Sequence, residues 1–344
     1  MPAPRSRHDH YPRDDAARCR RIREAVADLD AHWRKVDSAP ADTAPTDTSR
    51  GGLLAAIEAV AGEPPDHAIA RLLPWLTDTS WLHDRLGEAL ALLAADPFAR
   101  PPLRPVGGGD DGSGGLIIAE RGPVRVALHI HPAAAAAPTH AVFVPGRAAI
   151  RVLAAAGASL CLHEVAVSAA EEAGGFTASA AAACRSIPPR KLVDGEIFHH
   201  DTARQSYHLA CAHGDVLLLE LAVQPPAPLP FRSYDLATGR LAHVSASQRD
   251  ASFRTMALTL LRHLGRPDAA PLFLAETQAD DFALRWHAMR ELIALAPAAA
   301  LPRLAAMAAT DPHPEVRRAA QATLALLQPP PASGRGSETC ELAR

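Results

Sequence analysis

Four histidines in the middle of the chain have the residue type and the spacing of metal ligands. His129 and His131 stand two residues apart in VRVALHIH, so they project to the same side if this segment is a strand. His140 follows nine residues later, just before AVFVP, and His208 lies in a later strand-like segment. Imidazole is a common ligand of transition metals. We therefore predict a metal site formed by His129, His131, His140 and His208, with hydrogen-bonded structural histidines as the alternative.

The segments that carry these histidines have the texture of strands. LIIAE, VRVALHIH, AVFVP, AAIRVLAAAG and SLCLHEVAV follow one another from Leu116 onward, and Gly or Pro separates them. Short strands at such regular spacing favour an antiparallel sandwich or barrel. The first three histidines would then lie on neighbouring strands of one β region.

The segment from Gly195 to Pro226 predicts three further strands around His208. A strand ends in a polar turn at Asp201, a second strand begins at Tyr207-His208, and a third apolar strand runs to Val223. Two prolines then end the pairing because proline donates no hydrogen bond to a sheet. The adjacent His199 and His200 must face opposite sides of their strand, so only one of them can face an interior.

Asp201, His208 and Pro225-Pro226 together resemble the second metal-binding half of the cysteine-dioxygenase-like cupins. The run PTHAVFVPGRAAIRVLAAAG is similar to their first motif, with His140 as its first histidine. The resemblance covers about residues 116–244. It implies a cupin-like double-stranded β-helix barrel that binds Fe(II) and uses oxygen.

The chain departs from the cupin motifs at the second histidine of the first motif, where it has Val142. Valine cannot bind a metal, and non-haem iron oxygenases need three protein ligands with open positions for oxygen and substrate. The missing ligand would come from His131 or His129, or from His163 at the end of LCLHE.

The substrate expected from the resemblance also changes. Thiol dioxygenases carry Ser, His and Tyr on the strand before Pro-Pro, where this chain has Leu219, Leu221 and Val223. Cysteine oxidation by the usual route is therefore disfavoured. We predict a metal-dependent cupin oxygenase whose unknown substrate is a small molecule or a peptide- or carrier-linked group. The alternative is a non-catalytic cupin and HEAT-repeat protein that binds a ligand or serves as a scaffold.

The last third of the chain contains three similar helical segments, residues 252–264, 282–295 and 314–327. Their arginines Arg254, Arg285 and Arg317 lie 31 and 32 residues apart. A constant period with small and apolar residues on one stripe indicates stacked helical pairs that resemble HEAT repeats. Such an array predicts a surface for a protein partner. The aligned apolar positions are Ala257/Ala288/Ala320, Leu261/Leu292/Leu324 and Leu264/Leu295/Leu327.

The whole chain therefore predicts a multidomain α+β protein. An N-terminal helical region (residues 1–96) and a Pro/Gly-rich linker (97–115) precede the cupin-like barrel (116–248). HEAT-like repeats (249–328) and a disordered tail (329–344) complete the chain. A second linker is predicted at residues 37–52, where Pro, Thr, Ser and Asp dominate.

Composition narrows the choice of partners and compartment. The net charge of -3 gives no basic surface for nucleic acid. The five cysteines form no C-x-x-C pair, which argues against a disulfide framework or a structural zinc site. No stretch is apolar enough to predict a signal peptide or a membrane span. We predict a cytoplasmic protein.

Overall fold

The structure is a computed structural model. It describes residues 13–39, 52–107, 112–133, 136–245 and 249–327. The linker predicted at 37–52 falls largely outside this range, and the tail predicted at 329–344 lies wholly outside it.

The described residues form two compact units. The first, called the β unit, contains those within Met1–Ala166, Ala182–Pro226 and Arg232–Ala242. The second, called the helical unit, contains those within Val167–Ala181, Ala227–Phe231 and His243–Arg344. The N-terminal helices and most of the strand residues thus belong to one unit. The sequence analysis predicted two regions for this part of the chain.

Four helices open the β unit: α1 (Arg13–Asp37), α2 (Leu53–Glu58), α3 (Pro65–Thr77) and α4 (Ser80–Ala95). The α1 helix carries apolar residues three and four apart, and its Trp33 is buried. The α3 helix begins with Pro65, whose fixed φ suits the first helical position. The predicted N-terminal helices are therefore confirmed.

Thirteen strands are present in the described chain. They are β1 (Arg104–Val106), β2 (Gly114–Arg121), β3 (Val124–His131), β4 (His140–Phe143), β5 (Arg147–Ala154), β6 (Ser159–Glu164), β7 (Arg185–Ser186), β8 (Arg190–Lys191), β9 (Ile197–Asp201), β10 (Gln205–Ala210), β11 (Val216–Val223), β12 (Phe231–Asp235) and β13 (Leu241–Ser245). Every strand predicted from the sequence is found among them.

The strands form three sheets whose pairings are antiparallel. The largest has the order β1-β2-β3-β11-β5-β9. The second has the order β10-β6-β7, with β8 also paired to β6, and the third has the order β13-β12-β4. Along the chain, N-terminal helices, a central antiparallel β region and C-terminal helices follow one another, as the predicted α+β fold class requires.

The predicted linker at residues 97–115 is partly strand. Arg104 pairs with Ile117, so β1 and the first residues of β2 belong to the edge of the largest sheet. Two of the glycines that signalled a linker, Gly114 and Gly115, stand in β2, where Gly115 lies against the Leu128 carbonyl so closely that a Cβ would clash. The largest sheet therefore begins earlier than residue 116.

One face of the largest sheet packs against the N-terminal helices. Leu128, Leu219 and Leu221 point to this outer face and share a core with apolar residues of α2 and α3. Arg151 reinforces the contact because its Nη1 donates to the carbonyls of Leu76 and Thr77, at 2.9 and 2.6 Å. These carbonyls end α3 and have no partner within the helix.

The helical unit contains α5 (Arg249–His263), α6 (Ala270–Glu276), α7 (Phe282–Leu295), α8 (Pro297–Thr310) and α9 (Pro314–Leu327). Ala288, Leu292 and Ala320 are fully buried between helices, as the repeat alignment predicts. The alignment is wrong for two members of its last apolar column. Leu264 and Leu327 are 62% and 44% exposed because they lie at the ends of the first and last aligned helices.

None of the described helices is both long and apolar enough to span a membrane.

Candidate functional site

The four histidines predicted as metal ligands lie on three different sheets. His129 and His131 share one side of β3, with ring centroids 6.4 Å apart. His140 begins β4, is exposed, and its Nδ1 lies 2.8 Å from the Thr139 hydroxyl. His208 lies on β10 in the second sheet. The structure thus brings together only the first two.

His208 is paired with a histidine outside the predicted set. Its Nδ1 lies 2.8 Å from Nε2 of His163, and the two rings stack. The Nδ1 of His163 in turn lies 2.9 Å from the Ser186 hydroxyl. Burial lowers the pKa of both histidines, and the neighbouring His208 lowers that of His163 further. Both rings therefore favour the neutral form.

The register of β10 explains this pairing. His208 stands opposite Cys161, and its neighbour Tyr207 stands opposite Leu162. Since adjacent strand residues point to opposite faces, His208 turns away from the side that Tyr207 occupies. Tyr207 packs in the apolar core between the sheets, so His208 lies on the far side of the second sheet from His129.

The predicted iron set does not fit this geometry. Within the described chain, no three His, Cys, Asp or Glu side chains are grouped to hold a metal ion. Metal binding by His129, His131, His140 and His208 stays a prediction, and we assign no chemistry to it.

The other polar cluster lies on the inner face of the largest sheet, opposite the face covered by helices. Glu220 of β11 stands level with Ala127 of β3 and Ile150 of β5. Residues two positions along a strand share its face, so Arg125 and His129 flank Ala127 on the Glu220 side. The register alone therefore places an acid between two basic side chains.

Glu220 contacts both of these side chains. Its Oε2 lies 3.3 Å from Nε2 of His129, and its Oε1 lies 3.8 Å from Nη2 of Arg125. The three side chains are only 17–32% exposed. Burial acts most strongly on the pKa of Glu220 and would raise it, but contact with His129 and the charges of His129, Arg125 and His200 together lower it. Glu220 is therefore a half-buried carboxylate that stays ionised.

An aromatic group adjoins the carboxylate. Phe198 of β9 stands opposite Ile150 of β5. His200 lies two residues further along β9, so its side chain is on the same side of the sheet as that of Phe198. Tyr207 reaches the same side from β10 and makes edge contacts with Phe198 and His200, with centroids 5.9 and 5.6 Å apart. Burial lowers the pKa of His200 and raises that of Tyr207, so both groups are held neutral.

Three nitrogen atoms around Glu220 are buried without a hydrogen-bond partner: Nε of Arg125, Nε2 of His129 and Nδ1 of His200. His129 is within ion-pair distance of Glu220, but its ring is not aligned for a hydrogen bond. Buried polar atoms are nearly always hydrogen-bonded, and each exception requires an explanation. These three atoms mark the inner-face cluster as the candidate functional site.

The sequence contained signals for this cluster that the histidine pattern obscured. Glu220 is the single charged residue in VLLLELAV, and an acid inside an apolar strand is costly to bury without a partner. Arg125 occurs in the same alternation as His129 and His131. His199 is exposed and His200 buried, as expected for adjacent residues of a strand.

Asp201, one of the residues that carried the cupin resemblance, has a structural role at the end of β9. Its carboxylate is 2.7 Å from Nη1 of both Arg147 and Arg204. Arg147 also bonds Asp66 of α3, at 3.0 Å. This network ties β5 and β9 to the helices on the outer face.

Comparison with known protein families identifies one segment of the chain. Residues 241–325 match the HEAT repeats family. No curated protein matches the chain.

Solved structures with detectable similarity include HutD from Pseudomonas fluorescens SBW25, 13% identical with a TM-score of 0.24, covering 36% of this chain and 58% of that one. A sugar phosphate isomerase of the cupin superfamily from Silicibacter pomeroyi is 13% identical with a TM-score of 0.25, covering 39% and 77%. A cupin domain from Bordetella pertussis is 10% identical with a TM-score of 0.21, covering 36% and 96%. This chain thus spans little more than half of the HutD structure, and similarities this low carry no inference about activity.

Proposed function

We propose that the chain is a binding protein whose inner-face cluster holds a small hydroxylated organic acid. The observation that carries the proposal is the set of three buried, unpartnered nitrogens around the ionised Glu220. An acceptor oxygen of a ligand would satisfy Nε of Arg125, and also each imidazole nitrogen in the tautomer that carries its hydrogen there. An unmet buried donor costs about 1–3 kcal/mol.

The chemistry of the cluster defines the class of ligand. Nε of Arg125 can only donate, and a guanidinium is well suited to a carboxylate. Glu220, being ionised, can only accept, so it would take a hydroxyl hydrogen of the ligand. The rings of Phe198 and Tyr207 supply an apolar wall beside these polar groups. A hydroxylated organic acid fits all three features: its carboxylate accepts from Arg125, its hydroxyl donates to Glu220, and its carbon skeleton packs against the rings.

This proposal differs from the oxygenase predicted from the sequence. An oxygenase of that kind needs at least three metal ligands in one place, and the predicted histidines lie on three sheets. Binding requires only the donors and the acceptor that already converge on Glu220. The match to HEAT repeats adds a surface of the kind that contacts other proteins.

The test is a titration with lactate, glycerate, malate and tartrate, followed by thermal shift and calorimetry. The informative variant is Arg125→Lys, which keeps the positive charge but removes the Nε donor and the planar geometry. Arg121→Lys is the matched control because the Arg121 side chain is 60% exposed and forms an exposed ion pair with Glu58.

We expect at least one acid to bind and Arg125→Lys to weaken it at least tenfold, while Arg121→Lys leaves the affinity unchanged. Lactate, which has a single carboxylate and hydroxyl, should lose binding when Glu220 is replaced by Gln. If no acid binds, or if the affinity is the same in Arg125→Lys, the three nitrogens are satisfied by water and the proposal is wrong.

A further inference from the structure

Helix α5 carries an apolar stripe that the helical unit leaves exposed. Phe253, Met256, Leu260 and Leu264 are 66%, 63%, 58% and 62% exposed. At 3.6 residues per turn they fall within an arc of about 80°, and they extend along about 16 Å of the helix. We call these four residues the α5 stripe.

The stripe is additional to the face that α5 uses for its own packing. Ala251 and Leu258 are buried in the core of the helical unit, and Leu261 packs against that core. A helix with apolar residues on two sides is normally covered on both. In a stack of repeats each helical pair covers the next, and an end repeat normally has a polar outer face. The stripe lies on the first helix of the described array and lacks that polar character.

The size of the stripe indicates what could cover it. Four such side chains expose on the order of 400 Å², which is typical of functional patches on soluble proteins. A stable protein–protein interface buries about 800 Å² on each partner, so pairing of two copies through α5 alone falls short. One amphipathic helix laid along the stripe matches its length and width.

The unneutralised charge beside the stripe is basic. Residues 251–266 contain three arginines and no acidic residue. Arg262 is paired with Glu291 and Arg266 with Asp268, so neither offers a free charge. Arg254 is exposed and flanks the stripe, and its 3.5 Å contact with Glu276 leaves most of its donors available. Two α5 helices brought together would oppose their Arg254 side chains, whereas an acidic segment would complement them.

We propose that the α5 stripe is the docking surface for an amphipathic helix of a partner protein, with leucine or phenylalanine anchors and acidic flanks. This inference rests on the protein-contact role of the HEAT repeats and specifies the surface and the partner. It is independent of the inner-face cluster, which lies in the other unit.

The experiment uses the full chain and a set of fluorescent helix-forming peptides of about 16 residues. All carry leucines at positions i, i+3, i+7 and i+11, and the flanking residues are glutamates, lysines or serines. A fourth peptide has the glutamate flanks with the leucines moved off one face. Binding is measured by fluorescence polarisation at low and at physiological salt.

The protein variants are Met256→Glu and Leu260→Glu in the stripe. The matched control is Leu326→Glu, a change of the same type at an 85% exposed leucine of α9. Thermal unfolding and binding of the small organic acid are measured on each variant. These readouts separate a folding defect from the loss of a docking surface and keep the two proposals distinguishable.

We expect the glutamate-flanked peptide to bind at least tenfold more tightly than the lysine-flanked one, and the stripe variants to weaken it at least tenfold. The Leu326→Glu protein should bind the glutamate-flanked peptide with native affinity. The peptide whose leucines are moved off one face should not bind the native protein. Binding that is insensitive to the stripe variants, or absent for every peptide, overturns the inference. A stripe variant that lowers the unfolding temperature would show that the stripe packs within the chain, which also overturns it. Self-association abolished by the stripe variants would assign the surface to a second copy instead.

Discussion

His163 Nε2 and His208 Nδ1 lie 2.8 Å apart, with their rings nearly parallel on the side of the second sheet opposite Tyr207. Two protonated nitrogens cannot face each other at this distance, so the pair shares one hydrogen. The Ser186 hydroxyl at the other nitrogen of His163 fixes the orientation of that ring. The contact is stable only while at least one of the two facing nitrogens is unprotonated.

The first prediction concerns the pH dependence of this pair. Burial lowers the pKa of both histidines below the ordinary value of 6.5. The unfolded chain therefore takes up protons first as the pH falls, so the contribution of the pair to stability is complete above pH 6.5 and declines below it. We expect NMR titration to give both imidazoles a pKa under 6.5.

A variant checks the cause of this behaviour. His208→Gln removes one titrating ring, so the stability of the variant should fall less between pH 7 and pH 5 than that of the native chain. His140→Gln, at an exposed position of β4, should show the same change of stability with pH as the native chain. If stability changes equally with pH in all three proteins, the His163–His208 pair does not couple protonation to folding.

The second prediction concerns Glu220, whose pKa is lowered from 4.5. A carboxyl with a depressed pKa stabilises the fold above its unfolded value and loses this contribution as the pH falls through its folded value. The native chain should therefore be more stable than Glu220→Gln at neutral pH, and the difference should shrink below pH 4.5.

The measurement is chemical unfolding of both proteins from pH 7 down to pH 3. Glu58→Gln serves as the control because the Glu58 side chain is 62% exposed and its ion pair with Arg121, at 3.4 Å, lies on the surface. Such pairs contribute about 1 kcal/mol or less. A constant difference between the native chain and Glu220→Gln across this range would contradict an ionised, stabilising Glu220.

The strands could be predicted from the sequence because alternation and turn residues define them locally. The site could not, because it depends on which side of a strand faces the other sheet. His208 has the sequence context of a ligand, yet the register that pairs it with Cys161 places its side chain on the face of the second sheet opposite Tyr207. Glu220 had no recognisable motif, and its importance follows from two neighbours, Arg125 and His129, that lie some ninety residues earlier on a paired strand.

In the repeats, too, the positions of the helices could be predicted from the local sequence, whereas the exposure of some residues depends on neighbouring helices. The period of 31 and 32 residues located the helices because each one carries its own apolar stripe. The burial of Leu292 follows from this pattern, whereas the exposure of Leu264 depends on its position at the beginning of the described array, where no preceding repeat covers it.

The third prediction concerns iron. Because the predicted ligands lie on three sheets, we expect anaerobic reconstitution with Fe(II) to leave much less than one iron per chain by elemental analysis. His129→Ala and His208→Ala should not lower that content in parallel. One iron per chain that both variants remove would instead show that the four histidines come together and would restore the oxygenase.

The last prediction concerns the buried ion pair of the repeats. Arg285 holds Asp311 through two bonds of 3.1 and 3.0 Å, and the two side chains are 8% and 1% exposed. Arg285 also donates at 2.8 Å to the carbonyls of Ala279 and Asp280, which ties the turn before α7 to the start of α9.

Asp311→Ala leaves the Arg285 charge buried without its partner, which typically costs about 3–5 kcal/mol. We expect this loss to appear as faster hydrogen exchange in peptides of α7, α8 and α9, because exchange reports each unit separately. Asp311→Asn, which keeps one acceptor oxygen, should lose less. Asp268→Ala breaks an exposed pair with Arg266 and should change exchange little, since such pairs contribute about 1 kcal/mol or less. Native exchange in Asp311→Ala would show that the pair does not hold the repeats together.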